Sequence, residues 1–129
     1  MTIYIDCREK QLIEELHNVD LKFTCKSLDN GDVHIIANQI ICLERKTIQD
    51  FYASIRDNRF QEQKNRIKKC QADLIIYLIE GNNISHGKGN FNDDFLDKTL
   101  WTLLLSEHIK IIKTDNIHQT ALFIKHIFD

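Results

Sequence analysis

Asp32, Glu44 and Lys46 are the residues of this chain whose types and spacing suit hydrolytic chemistry. The stretches 33–37 and 40–45 are β-branched and meet at Asn38-Gln39, which predicts a hairpin. Centred on Asn38, that hairpin sets Val33 against Leu43 and Ile35 against Ile41, making one apolar face. Asp32 then falls opposite Glu44 on the other face, where opposed Cβ atoms lie about 4.5–5.5 Å apart. Lys46, two residues beyond Glu44, points to the same face as Glu44 if the strand continues. A register change of one residue would move Asp32 to a diagonal position and loosen the constellation. Two carboxylates this close repel each other unless a cation lies between them. Mg²⁺ takes such hard oxygen ligands and keeps several waters, one of which can attack a phosphodiester. Lys46 could position or deprotonate that water, or stabilise the charge that builds on the phosphate. The same three side chains could instead form a surface salt bridge worth about 0–1 kcal/mol.

The elements that must hold these residues can be read from periodicity. Residues 2–7 alternate as a strand, 9–18 form a helix with Leu12, Ile13 and Leu16 on one face, and 21–28 form a second strand. Thr47 caps a helix with the core stripe Ile48, Phe51, Tyr52 and Ile55, and a polar helix spans 59–70. Residues 72–79 are apolar throughout, as expected of a buried parallel strand. A loop over 82–92 precedes helix 93–108, strand 109–113 and helix 117–128. Strands alternating with helices, plus one hairpin, predict a single α/β domain over residues 1–129 with a mixed central sheet.

The formal net charge of −2 gives no overall basic surplus of the kind nucleic-acid binders carry. Charge is nevertheless local: Arg56, Arg59, Lys64, Arg66, Lys68 and Lys69 stand against only Asp57 and Glu62. Such a stretch can grip a phosphate backbone, or be an ordinary solvated helix face. The cysteines (Cys7, Cys25, Cys42, Cys70) form no CxxC pair and are expected to be free thiols, mostly buried. The histidines show no zinc spacing. His34 and Cys42 share the Asp32 face, although nothing in the sequence requires either as a ligand. No apolar run reaches the roughly 20 residues of a membrane span, and the N-terminus lacks signal-peptide character. An intracellular protein is expected: nuclear if eukaryotic, at a cytoplasmic or viral replication site if viral. The sequon Asn83-Ile84-Ser85 therefore carries no meaning here.

Several segments in order resemble the XPF/MUS-type structure-specific endonucleases. Gly31-Asp32 followed by Glu44-Arg45-Lys46-Thr47-Ile48-Gln49-Asp50 resembles their GD…ERKxxxD signature. Ile5-Asp6-Cys7-Arg8-Glu9 resembles the (V/I)DxRE opening, and Ser54-Ile55-Arg56-Asp57-Asn58-Arg59-Phe60 with Gln63 resembles SI.DGR…Q. Leu78-Ile79-Glu80-Gly81 resembles the (L/V)(I/V)EG strand end. The resemblance implies a restriction-endonuclease-like, PD-(D/E)XK fold, cleavage of branched or flapped double-stranded DNA, and Mg²⁺ or Mn²⁺ as cofactor. By motif position, Asp32 and Glu44 bind metal, with Asp6 adding a nearby carboxylate. Lys46 is catalytic, and Arg45 contacts the scissile phosphate or orders the site. Asp50 orients Lys46 or simply begins its helix, and Glu80 flanks the site or caps the following turn. Arg8, Arg56, Arg59, Gln63 and Arg66 are assigned to DNA, which decides the basic stretch in favour of a binding surface. The resemblance also implies a homodimer or a heterodimer with a related subunit, and the broad apolar surface of helix 117–128 is the expected contact. Familiar members carry helix-hairpin-helix or helicase domains, and this chain shows neither. It is read as an excised domain or a minimal nuclease reliant on a partner. The alternatives are a non-catalytic DNA-binding or scaffold subunit, and another PD-(D/E)XK nuclease such as a junction resolvase.

Overall fold

Side chains that alternate inward and outward along extended backbone build the centre of this molecule. In a computed structural model, which describes residues 1–81, 93–106 and 108–127, eleven elements follow one another. They are β1 (Thr2–Asp6), α1 (Lys10–Asn18), β2 (Thr24–Lys26), β3 (Val33–Ile36), β4 (Ile40–Thr47) and α2 (Ile48–Arg56). Then come α3 (Phe60–Lys68), β5 (Leu74–Glu80), α4 (Asp93–Ser106), β6 (Lys110–Thr114) and α5 (Ile117–His126). The strands form one six-stranded mixed sheet in the order β2-β1-β3-β4-β5-β6. β3 runs antiparallel to both β1 and β4, while the other neighbours are parallel. This is the mixed, helix-flanked α/β sheet expected from the sequence.

Each sheet face has its own core. On one, Ile3, Ile5, Val33, Ile35, Ile41, Leu43, Ile76 and Leu78 pack with Leu12 and Leu16 of α1 and Ala121 and Ile124 of α5. On the other, Cys42, Tyr77 and Ile79 pack with Ile48, Phe51 and Tyr52 of α2, Ile67 of α3, and Leu100 and Leu103 of α4. Each fully buried aliphatic or aromatic side chain stabilises the fold by about 1.5–3 kcal/mol, so the two layers lock the sheet between them. The β3–β4 register is the expected one, with Val33 beside Leu43 and Ile35 beside Ile41. The period of two then sends Cys42, Glu44 and Lys46 to the α2–α3 face. Thr47 ends the strand with extended backbone and accepts the Asp50 N–H at 3.1 Å, so α2 begins directly after the Glu44-Arg45-Lys46 triplet.

The structure corrects two expectations. The second strand is only three residues long, because β2 is an edge paired with β1 alone and all its side chains are exposed. Leu21 and Phe23 instead approach the core from irregular backbone. The cysteines are not mostly buried: Cys7 and Cys25 are exposed, Cys70 is half-buried and only Cys42 is fully enclosed. On α5, Ala121 and Ile124 are buried in the core while Leu122, Phe123 and Ile127 are only half-buried, and further large apolar side chains are exposed on α4. These are Trp101, Leu104 and Leu105, which are 60%, 41% and 74% exposed. The loop expected at 82–92, its sequon, and Phe128 lie outside the described residues. Among the described residues no helix is long and apolar enough to cross a membrane.

Candidate active site

The site begins with a turn that only glycine can make. Gly31 has φ +75°, and a Cβ there would meet Cys42 Sγ at 2.5 Å and the Leu43 carbonyl oxygen at 3.3 Å. That turn delivers Asp32 to a position fixed from both sides. Its N–H donates to the Leu43 carbonyl at 2.9 Å, and its carbonyl accepts the Asp6 N–H at 2.9 Å. Its Oδ2 accepts the Arg45 N–H at 2.8 Å. Asp32 therefore leaves the regular ladder one residue before β3 yet stays bonded to β4.

Asp32, Glu44 and Lys46 line one cavity of about 220 Å³. Arg8, Asp29, Gln63 and Arg66 complete its polar wall, and Ile67 its apolar floor. Burial, followed by the charge of Glu44, pushes the Asp32 carboxyl well above its ordinary range. Burial also pushes Glu44 up, against the opposing pull of Lys46. Lys46 moves the other way: burial lowers its ammonium pKa although Glu44 works to raise it. Its Nζ donates to Gln63 Oε1 at 2.6 Å, which aims the amine across the cavity mouth. Two desolvated carboxylates carry a cost that a proton or a cation relieves, and their hard oxygens match Mg²⁺ or Mn²⁺. The donor set therefore fits a divalent ion.

Other residues singled out from the sequence take different places. Asp6 is buried and does not line the cavity. It binds the Arg8 guanidinium with both oxygens at 2.9 Å and accepts the Leu28 N–H at 3.1 Å, and the Arg8 hydrogen bond holds it far below the usual carboxylate range. Arg8 itself is 80% exposed at the rim. Arg45 points away from the cavity. It grips Glu80 with two bonds of 2.9 and 2.6 Å and reaches Glu9 at 3.4 Å. Burial works against that guanidinium's charge, but the hydrogen bonds and charge of Glu80 prevail and raise its pKa. Thr120 Oγ1 donates to the same Glu80 at 2.6 Å, so the pair is tied to α5. Asp50 is exposed on the first turn of α2, where its charge acts on Lys46. Gln63 and Arg66 face the cavity, whereas Arg59 caps α3 and pairs with Asp57 at 3.4 Å, beside Arg56 at 3.4 Å from the same carboxylate. Sequence reasoning passed over Asp29 in the cavity wall and Glu9 on Arg45. Glu9 stood inside a quoted motif, and Asp29 adjoins the turn that presents Asp32.

Known proteins place this geometry in context. The model of the ERCC4 domain matches residues 5–127. The crossover junction endonuclease MUS81 of Candida glabrata is 40% identical over 112 residues, covering 87% of this chain and 17% of that protein. A Methanocaldococcus jannaschii chain bearing the name of an ATP-dependent RNA helicase is 35% identical over 119 residues, covering 92% of this chain and 14% of its own. Among solved structures, XPF from Aeropyrum pernix in complex with DNA superposes with a TM-score of 0.83 at 26% identity, covering 98% of this chain and 62% of that one. The chain thus spans 14% and 17% of the length of these two relatives.

Proposed function

The chain belongs to the ERCC4-domain family, and from that premise we propose that it is the nuclease domain of a structure-specific DNA endonuclease. It hydrolyses phosphodiester bonds in branched, flapped or forked DNA during repair or recombination. The observation that carries this reading is the convergence of Asp32, Glu44 and Lys46 on one polar cavity beside the basic side chains of Arg8 and Arg66. The MUS81 and XPF relatives supply the substrate class.

Asp32 and Glu44 would hold a Mg²⁺ or Mn²⁺ ion, which would supply Lewis-acid stabilisation of the phosphate and a water nucleophile at neutral pH. Lys46, lowered by burial and held by Gln63, shares its proton readily and stands where charge develops. Arg8 and Arg66 take phosphates on either side, and Arg56 and Arg59 extend that track along α2 and α3. Arg45 fixes the strand between Glu44 and Lys46 through Glu80, and Asp50 contributes its charge to Lys46. Asp6 acts through Arg8, holding a DNA-facing guanidinium in place.

Pairing with a second copy or a related subunit completes this reading. Trp101, Leu104 and Leu105 of α4 are exposed, and Leu104 borders an apolar groove of about 460 Å³ that also contains Ile111, Ile112, Phe123 and Ile127. Cleavage of labelled flap, fork and four-way substrates, alone and with candidate partner subunits, tests the proposal. Mg²⁺- or Mn²⁺-dependent nicking of a branched substrate, lost in Lys46→Ala, is the expected result. Failure to cut any branched substrate with either metal in any assembly would contradict it.

A further inference from the structure

A second group of ligating atoms lies on the same sheet face, beside the carboxylate pair but made of different residues. His34 and Cys42 are register partners on β3 and β4, and Cys70 reaches them from just beyond the C-terminus of α3. One ring nitrogen of His34 and the two Sγ atoms all lie within 4.8 Å of one another, and Cys70 Sγ is 3.7 Å from His34 Nε2. A tetrahedral zinc centre, with Zn–S of about 2.3 Å and Zn–N of about 2.0–2.1 Å, has ligand–ligand edges of roughly 3.5–3.8 Å. The three donors are thus within about 1 Å of those edges before any ion enters. In the ion-free arrangement the Asn30 carbonyl oxygen accepts a hydrogen bond from His34 Nε2 at 2.7 Å and lies 3.9 Å from Cys42 Sγ, so both atoms already turn toward one point.

We propose that His34, Cys42 and Cys70 form a binding site for a soft divalent ion, Zn²⁺ by preference, with water in the fourth position. Two thiols lose their protons to solvent on binding, and the imidazole gives up its hydrogen bond to Asn30 and ligates through Nε2 as the neutral tautomer protonated on Nδ1. Two thiolates and a neutral imidazole balance the dication, so the half-buried site ends without net charge. Softness separates it from the hard-oxygen pair Asp32 and Glu44: thiolates select zinc over magnesium.

The site joins elements that matter to the cavity. Cys70 lies two residues beyond the end of α3, the helix that carries Gln63 and Arg66, and Asn30 precedes the Gly31 turn that presents Asp32. An ion here would clip α3 to the hairpin and fix the cavity wall, a structural role independent of whether the carboxylate site is catalytic.

The test uses the reduced chain in a Cys7→Ser/Cys25→Ser background, which removes the two exposed thiols and leaves those of the cluster. Co²⁺ is titrated in and its absorption followed, with Zn²⁺ then added as competitor and excess Mg²⁺ as control. The expected result is one equivalent of Co²⁺ with a thiolate-to-cobalt charge-transfer band, displaced by Zn²⁺ and untouched by Mg²⁺. The band persists in Asp32→Asn/Glu44→Gln and disappears in Cys70→Ser, with circular dichroism reporting that each variant is folded. A spectrum without that band in the unsubstituted cluster overturns the proposal whatever the variants do, as does a band that survives in folded Cys70→Ser.

Discussion

Asp32 Oδ2 accepts the backbone N–H of Arg45 at 2.8 Å, so the carboxylate that enters the cavity from β3 is tied to the strand that supplies Glu44 and Lys46. The bond fixes the spacing of the three groups through backbone rather than through a flexible side chain. It also leaves Asp32 without a full counter-charge from that contact, which is the condition under which a cation is worth binding.

Stability should reflect this. The native state holds protons on Asp32 and Glu44 more tightly than the unfolded chain does, because burial raises both groups. Stability therefore falls as pH rises above about 4, the unfolded carboxylate range, through the raised native values. In chelator, Tm is expected to decline between about pH 5 and about pH 8, and Asp32→Asn to flatten that decline. Added Mn²⁺ should recover several degrees at the upper end, since about 1 kcal/mol moves the Tm of such a domain by roughly 2–8 °C. Thermal melts across pH, with and without metal, measure each part.

Gln63 acts on the chemistry through Lys46. Gln63→Ala removes the acceptor of the 2.6 Å bond and frees the amine to turn away. Single-turnover cleavage should slow by about 10–100-fold, the usual effect of losing an orienting partner. Its pH–rate profile should shift while DNA affinity stays within a few-fold. An unchanged profile would assign Gln63 to DNA contact alone.

Arg8 and Arg66 both face the cavity but should behave differently when removed. Arg66 pairs with exposed Glu62 at 3.0 Å, so Arg66→Ala should weaken DNA binding, lower the log–log salt slope by about 0.9, and leave stability nearly unchanged. Arg8→Ala strips buried Asp6 of two hydrogen bonds and should lower stability as well. Salt-dependent binding and denaturant melts separate the two.

The Arg45–Glu80 pair should matter to folding more than any surface ion pair. Both side chains are largely buried, so Glu80→Ala leaves a desolvated guanidinium and should cost about 3–5 kcal/mol. Chemical denaturation gives the figure directly. Glu62→Ala, at an exposed helical pair, should stay within about 1 kcal/mol.

The hairpin was legible because β-branched residues on either side of Asn38-Gln39 alternate, and a period of two then dictates which side chains share a face. Thr47 was legible as a cap for a similar local reason. What could not be read were partners distant in sequence: Arg45 with Glu80, Asp6 with Leu28, and Lys46 with Gln63 lie 35, 22 and 17 residues apart. Asp6 looked like a free carboxylate because its guanidinium was two residues away and its helper N–H belonged to another loop. The exposed face of α4 was missed for the opposite reason. Its apolar residues are not confined to one stripe, so periodicity could not say which of Leu100, Trp101, Leu103, Leu104 and Leu105 would face the core. The cysteine cluster is also tertiary, since Cys70 reaches His34 only after α3 has folded across the sheet.

Binding of Mn²⁺ by isothermal calorimetry tests most directly whether Asp32 and Glu44 make a metal site. The chain with His34 and both cluster cysteines intact is first given one equivalent of Zn²⁺, which the thiolates take in preference, and unbound ion is removed so that the oxygen site stays open to titration. Mn²⁺ should bind with one equivalent and that binding should vanish in Asp32→Asn/Glu44→Gln. Equal Mn²⁺ binding by the two proteins, or none by the unsubstituted chain, would contradict the reading of this cavity as a metal-dependent nuclease centre.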